Sequence, residues 1–182
     1  MFKISITNNF NPLRAFKKFR KDRNIGEIEK LAGGEILVGF PESAKAENGL
    51  SVATYAKYNN YGTFLKDKNG KPTKARIPAR PFFTEGFFFD KYQERRGRLA
   101  KRLLKQLAQK KISAQDAAEK IGNQAVSDVR DSIATGPWAP NAPSTMARKL
   151  KKSKGKKAAM IKPLIDTGAM IGKVTYIVKV DK

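Results

Sequence analysis

Strand-like alternation near both ends of the chain, with helical spacing between, is the feature that most limits the fold. Phe2, Ile4 and Ile6 alternate with polar residues, and Val174–Val180 repeats that alternation at the other end. A run of β-branched and aliphatic residues, Glu35–Phe40, predicts a third and more buried strand. The pattern predicts an α+β fold with a small mixed or antiparallel sheet and helices packed on one of its faces.

Two shorter helices and a hairpin are predicted in the first half of the chain. Apolar residues recur every third position after Pro12, which is typical of an amphipathic helix. A second helix is predicted over Val52–Asn59, with Gly62 placed to act as a left-handed C-cap. Residues 63–80 contain Asn69 and Gly70 in sequence and predict a flap-like hairpin with short strands.

Two longer helices are predicted in the centre. The first covers Phe82–Lys110 and is the longest. Its apolar stripe consists of Phe88, Tyr92, Leu99, Leu103 and Leu107. Ser113, with Asp116 three residues later, resembles a capping box and begins the second helix, which Gly136 ends. We expect these two helices to pair.

The domain organisation predicted from these elements is one domain with an arm. Residues 1–136 and 163–182 form the single α+β domain. Residues 137–162 are spaced by prolines and then dense in lysine, so we expect an extended basic arm with one helical turn at Thr145–Leu150. After the arm, Asp166-Thr167-Gly168 turns the chain into the last strand.

Positive charge is the main functional signal. Lysine and arginine number 38 against 16 acids, a net charge of +22. One cationic stripe is expected on the longest helix, facing DNA, at Arg95, Arg98, Arg102 and Lys105. The arm supplies a second set of candidate partner contacts, namely Trp138, Arg148, Lys149, Lys151, Lys152, Lys154, Lys156 and Lys157. An isolated charge run is often only a solvated face, but a net charge this large favours contact with a polyanion.

The composition excludes several classes of chemistry. The chain has no histidine and no cysteine, so it lacks the imidazole general base, the cysteine nucleophile, the usual zinc ligands and any disulfide. Asp166-Thr167-Gly168 resembles the aspartic-protease triplet, but too little chain follows it for that fold. Asp128 and Asp131 share a helix face, so a magnesium-dependent nuclease is one functional alternative, ranked below the two that are given at the end of this section. We predict no catalytic residue, no metal and no cofactor.

An aromatic cluster follows the hairpin. It comprises Phe82, Phe83 and Phe87–Phe89. Three consecutive residues on a helix fan over about 200°, so at least one ring should reach solvent or a second subunit. Phe82, Phe83, Phe87 and Phe89 are therefore candidate interface residues. Trp138 is interpreted either as an anchor on its own domain or as a partner contact.

Two segments together resemble a family of tailed-bacteriophage neck, tail-completion and virion-morphogenesis proteins. Residues 52–63 are similar to the pattern A-x-Y-A-x-x-x-E-x-G-T, and Ile77–Phe83 is similar to I-P-x-R-P-F. Trp138 before a proline-rich stretch, and Lys162–Gly168 before a closing strand, agree with the same family in the same order. Asn60 departs from the pattern, because the family usually has an acid there.

The resemblance implies a non-enzymatic structural virion protein in the neck of a phage particle, assembled in the host cytoplasm. It implies a homo-oligomeric ring, of about six copies, around the DNA channel. The implied partners are head-completion or connector proteins, the tail terminator or tail tube, and genomic DNA without sequence preference. Arg80 is then a candidate to brace its loop or meet an acid on a neighbouring subunit. The alternative is a free, sequence-independent nucleic-acid-binding protein. No membrane segment is predicted.

Overall fold

The computed structural model describes residues 3–5, 25–46, 49–152 and 162–180, and it has an α+β fold. The described elements follow one another as β1 (Lys3–Ser5), α1 (Ile25–Gly33), β2 (Glu35–Gly39), α2 (Val52–Tyr61), β3 (Thr63–Lys66), β4 (Pro72–Ile77), α3 (Asp90–Ala108), α4 (Ala114–Thr135), α5 (Pro143–Lys152), α6 (Ala169–Gly172) and β5 (Thr175–Lys179). The helix predicted after Pro12 lies outside the described residues. Among those that are described, no helix is both long and apolar enough to cross a membrane.

The chain divides into two compact units where the sequence predicts one domain. We name them the sheet unit and the hairpin unit. The sheet unit takes its described residues from Lys3–Gly39, Phe88–Asp128 and Thr175–Lys182. The hairpin unit takes them from Phe40–Phe87 and Val129–Val174. Because strands from opposite ends of the chain pair in one sheet, the division does not follow chain order.

In the sheet unit, β2 is the central strand of a three-stranded antiparallel sheet in the order β1-β2-β5. Ile4 pairs with Val38, which also pairs with Tyr176 on the other side. Ile36, Leu37 and Val38 are all buried, so β2 is covered on both faces, as its continuous apolar sequence predicts. The predicted sheet is thus confirmed, and every pairing in it is antiparallel.

Helices α1, α3 and α4 supply the apolar core of this unit. Ile28 of α1 packs with leucines of α3 and with Ala117 of α4, which confirms that α3 and α4 share one core. Gly122 of α4 lies against Tyr176 of β5, where an added Cβ would stand 2.4 Å from the ring. A glycine is therefore required where the helix crosses the sheet.

The N-terminus of α4 confirms the predicted capping box. The Ser113 hydroxyl accepts from the Asp116 amide at 3.1 Å, and the Asp116 carboxylate accepts from the Ser113 amide at 3.1 Å. Glu27 of α1 adds a third cap, because its carboxylate accepts from the Ala114 amide at 2.6 Å. The hydrogen bond from the Ala114 amide lowers the pKa of Glu27 below its ordinary value of 4.5. The hydrogen bonds from the side chain and the amide of Ser113 lower the pKa of Asp116 below its ordinary value of 3.8.

These caps predict a loss of stability in acid. A carboxyl group with a lowered pKa in the folded state stabilises the fold above its unfolded pKa, and it loses that contribution as the pH falls through its folded pKa. We expect Glu27→Gln to have a shallower fall in unfolding free energy below about pH 4.5 than the wild type. Urea titrations across this pH range test this expectation, and an unchanged slope of unfolding free energy against pH would contradict the assignment.

Ser113→Ala should lower the free energy of unfolding by about 1 kcal/mol at neutral pH.

In the hairpin unit, α2 leads directly into the β3–β4 hairpin. Gly62 ends α2, as predicted, with a φ of 74°, and an added Cβ there would lie 2.9 Å from the Ala79 amide nitrogen. Its ψ of 164° lies outside the left-handed helical region, so the predicted left-handed cap is not formed. Asp67 closes the hairpin turn, because its carboxylate accepts from the Asn69 and Lys71 amides at 2.8 and 2.9 Å.

The predicted helix over Phe82–Lys110 begins later than the sequence indicates. Residues 82–85 form turns, Gly86–Phe88 forms a 3₁₀ turn, and α3 starts at Asp90. The prediction that this helix is the longest is therefore wrong, because α3 has 19 residues and α4 has 22. The Glu85 and Gly86 amides both donate to the Pro81 carbonyl, which holds the chain in a compact turn. This turn directs Phe82 and Phe83 together against Phe40, with ring centroids 6.5 and 5.9 Å away. Packing of two consecutive rings in one core therefore overrides the helical pattern.

The predicted extended arm is partly helical. Residues 143–152 form α5, a helix of ten residues where the sequence indicates a single turn. Lys149 of this helix is buried, which an exposed arm would not allow. Residues 153–161 of the predicted arm, including Lys154, Lys156 and Lys157, lie outside the described residues.

Candidate nucleic-acid interface

Helix α3 presents a cationic face. Its buried side carries Tyr92, Leu103 and Leu107, and at 100° per residue the opposite side is centred near Arg98 and Lys105. We define the α3 stripe as the exposed basic residues of that side, which are Lys91, Arg98, Lys101, Arg102 and Lys105. Three of the four predicted stripe residues belong to this set, and the structure adds two lysines.

The α3 stripe is long, and the acids on its side lie toward its N-terminal end. From Lys91 to Lys105 it extends about 21 Å at 1.5 Å per residue. The acids on this side of α3 are the exposed Asp90 and Glu94. Glu94 accepts from Arg98 at 3.4 Å across one helical turn. Both of those side chains are about 70% exposed, so solvent screens the pair and it neutralises little. A linear array of exposed cations is suited to contacts with successive phosphates.

Arg95 differs from the other predicted stripe residues. Its guanidinium donates to Asp128 of α4 at 3.1 Å and lies 5.5 Å from the centre of the Tyr92 ring. Its side chain is 40% exposed, whereas that of Asp128 is completely buried. Arg95 therefore acts first as a structural counter-ion between two helices.

Arg96 is the residue of this site that the sequence analysis missed. It donates to the second carboxylate oxygen of Asp128 at 2.8 Å, and its side chain is only 13% exposed. Burial lowers the pKa of Arg96, while the hydrogen bond that Arg96 donates to Asp128 opposes that shift. The available signal was position, because Arg96 falls on the apolar side of α3, where a charge requires a buried partner.

The Asp128 environment bears on the nuclease alternative. Both carboxylate oxygens accept from arginines, and Gln124 donates a further hydrogen bond at 2.9 Å. Asp131, its predicted partner, accepts from the Thr135 hydroxyl on its own helix. Within the described part of the chain, no three carboxylates converge as a metal site would require. The geometry of Asp128 is that of a buried ion pair.

Lys149 was predicted as an exposed partner contact, and its position corrects that expectation. It is 3% exposed and donates to the carbonyls of Lys162 and Ile165, so it ties α5 to the segment before α6. Burial lowers the pKa of Lys149, and nearby Arg80 and Arg148 add to the shift against the opposing effect of Asp166. Arg148 and Lys151 are exposed, so they are the described arm cations that remain available to a partner.

Trp138 is anchored on its own unit. Its indole nitrogen donates to the Ser132 carbonyl at 2.7 Å. The ring also packs against Gly86 and Gly136, where an added Cβ would stand 2.9 and 2.3 Å from ring atoms. These contacts favour the first of the two interpretations of this residue, an anchor for the loop after α4.

The candidate interface residues Arg80, Phe82, Phe83 and Phe87 are buried within the hairpin unit. This corrects the expectation that they meet a second subunit, because each is at most 4% exposed in the chain itself. Phe89 is partly exposed and stacks on Tyr92 at 6.1 Å in the sheet unit. Phe88 is the exposed ring of the cluster, at 39%.

Arg80 organises the loops of the hairpin unit. It donates to the carbonyls of Ala139 at 2.7 Å and Pro140 at 3.1 Å, and to the Asn59 side chain at 3.2 Å. Asn141 accepts a longer contact at 3.5 Å and itself donates to the Lys162 carbonyl. Burial lowers the pKa of Arg80. The residue braces its loop through neutral acceptors, which is one of its two predicted roles.

Asn60, where the family pattern has an acid, makes polar contacts inside the hairpin unit. Its side-chain oxygen accepts from the amides of Phe83 at 2.9 Å and Thr84 at 3.3 Å. Its amide nitrogen also donates to the Thr84 hydroxyl at 3.0 Å. An uncharged side chain therefore fills this buried position with all its groups bonded.

A cleft of about 280 Å³ lies in the same unit, between α2 and α6. Asp166 lines it together with Tyr55 and Arg148, and the remaining lining is largely apolar. The described part of the cleft brings one carboxylate and one exposed guanidinium together, which does not form a catalytic constellation.

Comparisons of this chain with protein-family models, with curated proteins and with solved structures return no match. The resemblance to phage neck proteins consequently rests on the sequence segments themselves. Most of the residues that carry it lie in the hairpin unit, where Asn59, Arg80 and Asn141 are joined by the Arg80 hydrogen bonds.

Proposed function

We propose that the chain is a non-enzymatic structural subunit of a tailed-phage neck, forming a ring of about six copies around the DNA channel. The observation that carries this proposal is the α3 stripe, five exposed cations on one side of a helix. In a ring, repeated copies of such a stripe would line a channel with positive charge. DNA passing through would be held by its phosphates, without reading of bases.

The motif residues support a structural role for the hairpin unit. In the segments that resemble the phage family, the polar groups of Arg80 and Asn60 form hydrogen bonds with loop carbonyls and amides of the same chain. Groups already satisfied inside the fold are suited to fixing backbone geometry, and they are poorly placed to bind a substrate. We infer that these segments keep the loops in shape for assembly with head-completion or connector proteins and with the tail terminator or tube.

The second candidate is a free, sequence-independent nucleic-acid-binding protein. The same α3 stripe favours it, since phosphate contacts need no ring. The two candidates differ in the state that binds DNA. A neck subunit binds as part of a closed assembly, whereas the alternative binds duplex tightly as a monomer.

Neutralising the stripe tests the DNA contact common to both candidates. Arg98→Gln/Arg102→Gln/Lys105→Gln should fold normally, because all three side chains are exposed. Its affinity for duplex DNA should fall at least tenfold at about 0.1 M salt, and the slope of log K against log salt should shrink by about 3. The matched control is Lys45→Gln/Lys120→Gln/Lys173→Gln, which removes the same charge from exposed positions off the stripe.

Equal losses in the two variants would show that net charge, and not the stripe, governs binding. Salt titrations followed by fluorescence anisotropy measure both the affinity for duplex DNA and the slope of log K against log salt.

Removing the gene from the virus or prophage that encodes the chain tests the neck assignment. We expect filled heads and finished tails that fail to join, and heads that lose DNA to added nuclease. Native mass spectrometry of the purified chain should show a closed oligomer, alone or with a neck protein. Normal particles after deletion would overturn the assignment, and a monomer that binds duplex tightly would favour the second candidate.

A further inference from the structure

The β3–β4 hairpin has one face that carries charge and an aromatic ring together. Phe64 pairs with Arg76 and Lys66 pairs with Pro72, which places these four residues on one side of the hairpin. The register shifts between the two pairs, and the exposed Lys74 lies in that shifted stretch of β4. We define the hairpin face as Phe64, Lys66, Pro72, Lys74 and Arg76, all of which are exposed. Among the residues that the structure describes, Phe64 is the most exposed large apolar residue, at 59%.

The hairpin face has no acidic residue. The acid of the hairpin is Asp67, whose carboxylate accepts the Asn69 and Lys71 amides within the turn. The turn adds two further exposed cations, Lys68 and Lys71. The charge of this element is therefore directed outward and is complementary to an anionic partner.

We propose that the hairpin face binds unpaired nucleotides, with Phe64 stacking on a base and the neighbouring cations contacting the adjacent phosphates. An exposed ring beside lysine and arginine is the arrangement by which proteins bind single strands without sequence preference. In a duplex the base faces are stacked on one another, so Phe64 could gain little there. The inference goes beyond the neck proposal and does not depend on it.

Two other occupants fit the face less well. A second copy of the chain would bring like charges together, and lysines along a strand oppose edge-to-edge pairing. An acidic protein partner would match the charge, but lysine is depleted at the centres of protein–protein interfaces. Two of the three cations on the hairpin face are lysines. The combination of ring and lysine favours nucleic acid.

The test compares oligothymidine of about 16 nucleotides with a duplex of equal length, using the full chain. Phe64→Ala should weaken oligothymidine binding about fivefold or more and leave duplex binding within about twofold. Lys74→Gln/Arg76→Gln should weaken oligothymidine binding and lower its salt slope by about 1.4. Leu65→Ala is the matched control, because Leu65 is an exposed apolar residue of the same strand outside the hairpin face.

Four outcomes would overturn the inference. The first is that Phe64→Ala and Leu65→Ala weaken oligothymidine binding equally, and the second is that Phe64→Ala weakens duplex binding as much as oligothymidine binding. The third is that the chain does not bind oligothymidine. The fourth is that polyglutamate of the same charge competes with oligothymidine and that Phe64→Ala weakens polyglutamate binding as strongly, which would assign the face to an acidic protein. The α3 stripe variant separates this result from the proposed function, because it should weaken duplex binding while the Phe64 effect on oligothymidine persists.

Discussion

Asp128→Ala is expected to lower the free energy of unfolding by about 3–5 kcal/mol. The substitution removes a completely buried carboxylate and leaves Arg96, whose side chain is 13% exposed, without its counter-ion. Arg95 can turn toward solvent more readily, since 40% of its side chain is already exposed. Urea unfolding followed by far-ultraviolet circular dichroism measures the loss.

Two further variants identify the cause of that loss. Glu119→Ala removes an exposed carboxylate from the same helix and should change stability by less than about 0.5 kcal/mol. The double variant Asp128→Leu/Arg96→Met replaces the buried pair with apolar groups and should recover most of the stability lost in Asp128→Ala. A double variant as unstable as the single one would contradict the view that an uncompensated charge is responsible.

A conservative substitution at the same position, Asp128→Asn, distinguishes a structural role of Asp128 from a catalytic one. A nuclease that used Asp128 would lose magnesium-dependent cleavage in Asp128→Asn, a substitution that keeps a hydrogen-bond acceptor for the arginines. We expect Asp128→Asn to be less stable than the wild type and to show no change in DNA cleavage with added magnesium. Cleavage by the wild type that disappears in this variant would favour the enzyme alternative.

Arg80→Ala is the second large effect, with an expected cost of about 3 kcal/mol or more. It leaves the carbonyls of Ala139 and Pro140 and the Asn59 side chain without the donor they share. The Asn59 acceptor is buried and the two carbonyls are part-buried. A buried acceptor that loses its partner costs about 1–3 kcal/mol, and the loss of the buried guanidinium's packing adds to this cost. The fluorescence of Trp138, the single tryptophan of the chain, reports on this loop and should change together with stability.

Arg80→Lys and Arg76→Ala are the matched controls. Lysine has a single ammonium group in place of the planar fork, so it cannot reach the same set of acceptors, and we expect an intermediate loss. Arg76 is an exposed arginine of β4 and its replacement should have little effect on stability. If Arg76→Ala were as destabilising as Arg80→Ala, loss of the internal hydrogen bonds could not be the explanation.

Local sequence determined the elements whose signals come from neighbouring residues. The capping box of Ser113 and Asp116, the glycine end of α2 and the alternation of β5 were all predictable, because each depends on contacts within a few residues. The α3 stripe was predictable for the same reason, since residues three and four apart share a helix side.

The candidate interface could be predicted only in part. Helical spacing placed Arg98, Arg102 and Lys105 on an exposed side, but it could not show that Arg95 pairs with a carboxylate on another helix. Phe82 and Phe83 were misassigned for a related reason. Their helical pattern was overridden by contact with Phe40, more than forty residues earlier.

The sequence by itself thus determined the fold class, the charge and the helix that carries it, because hydrophobic period and net charge are properties of the chain alone. Only the tertiary structure decided which basic side chains are buried and which groups they bind. Arg80 and Lys149 look like their exposed neighbours in sequence, yet each is at most 4% exposed because distant segments pack over it. The partner of Arg96 is likewise a carboxylate on another helix. Burial and pairing depend on contacts between residues far apart in the chain, and these arise only when the segments meet.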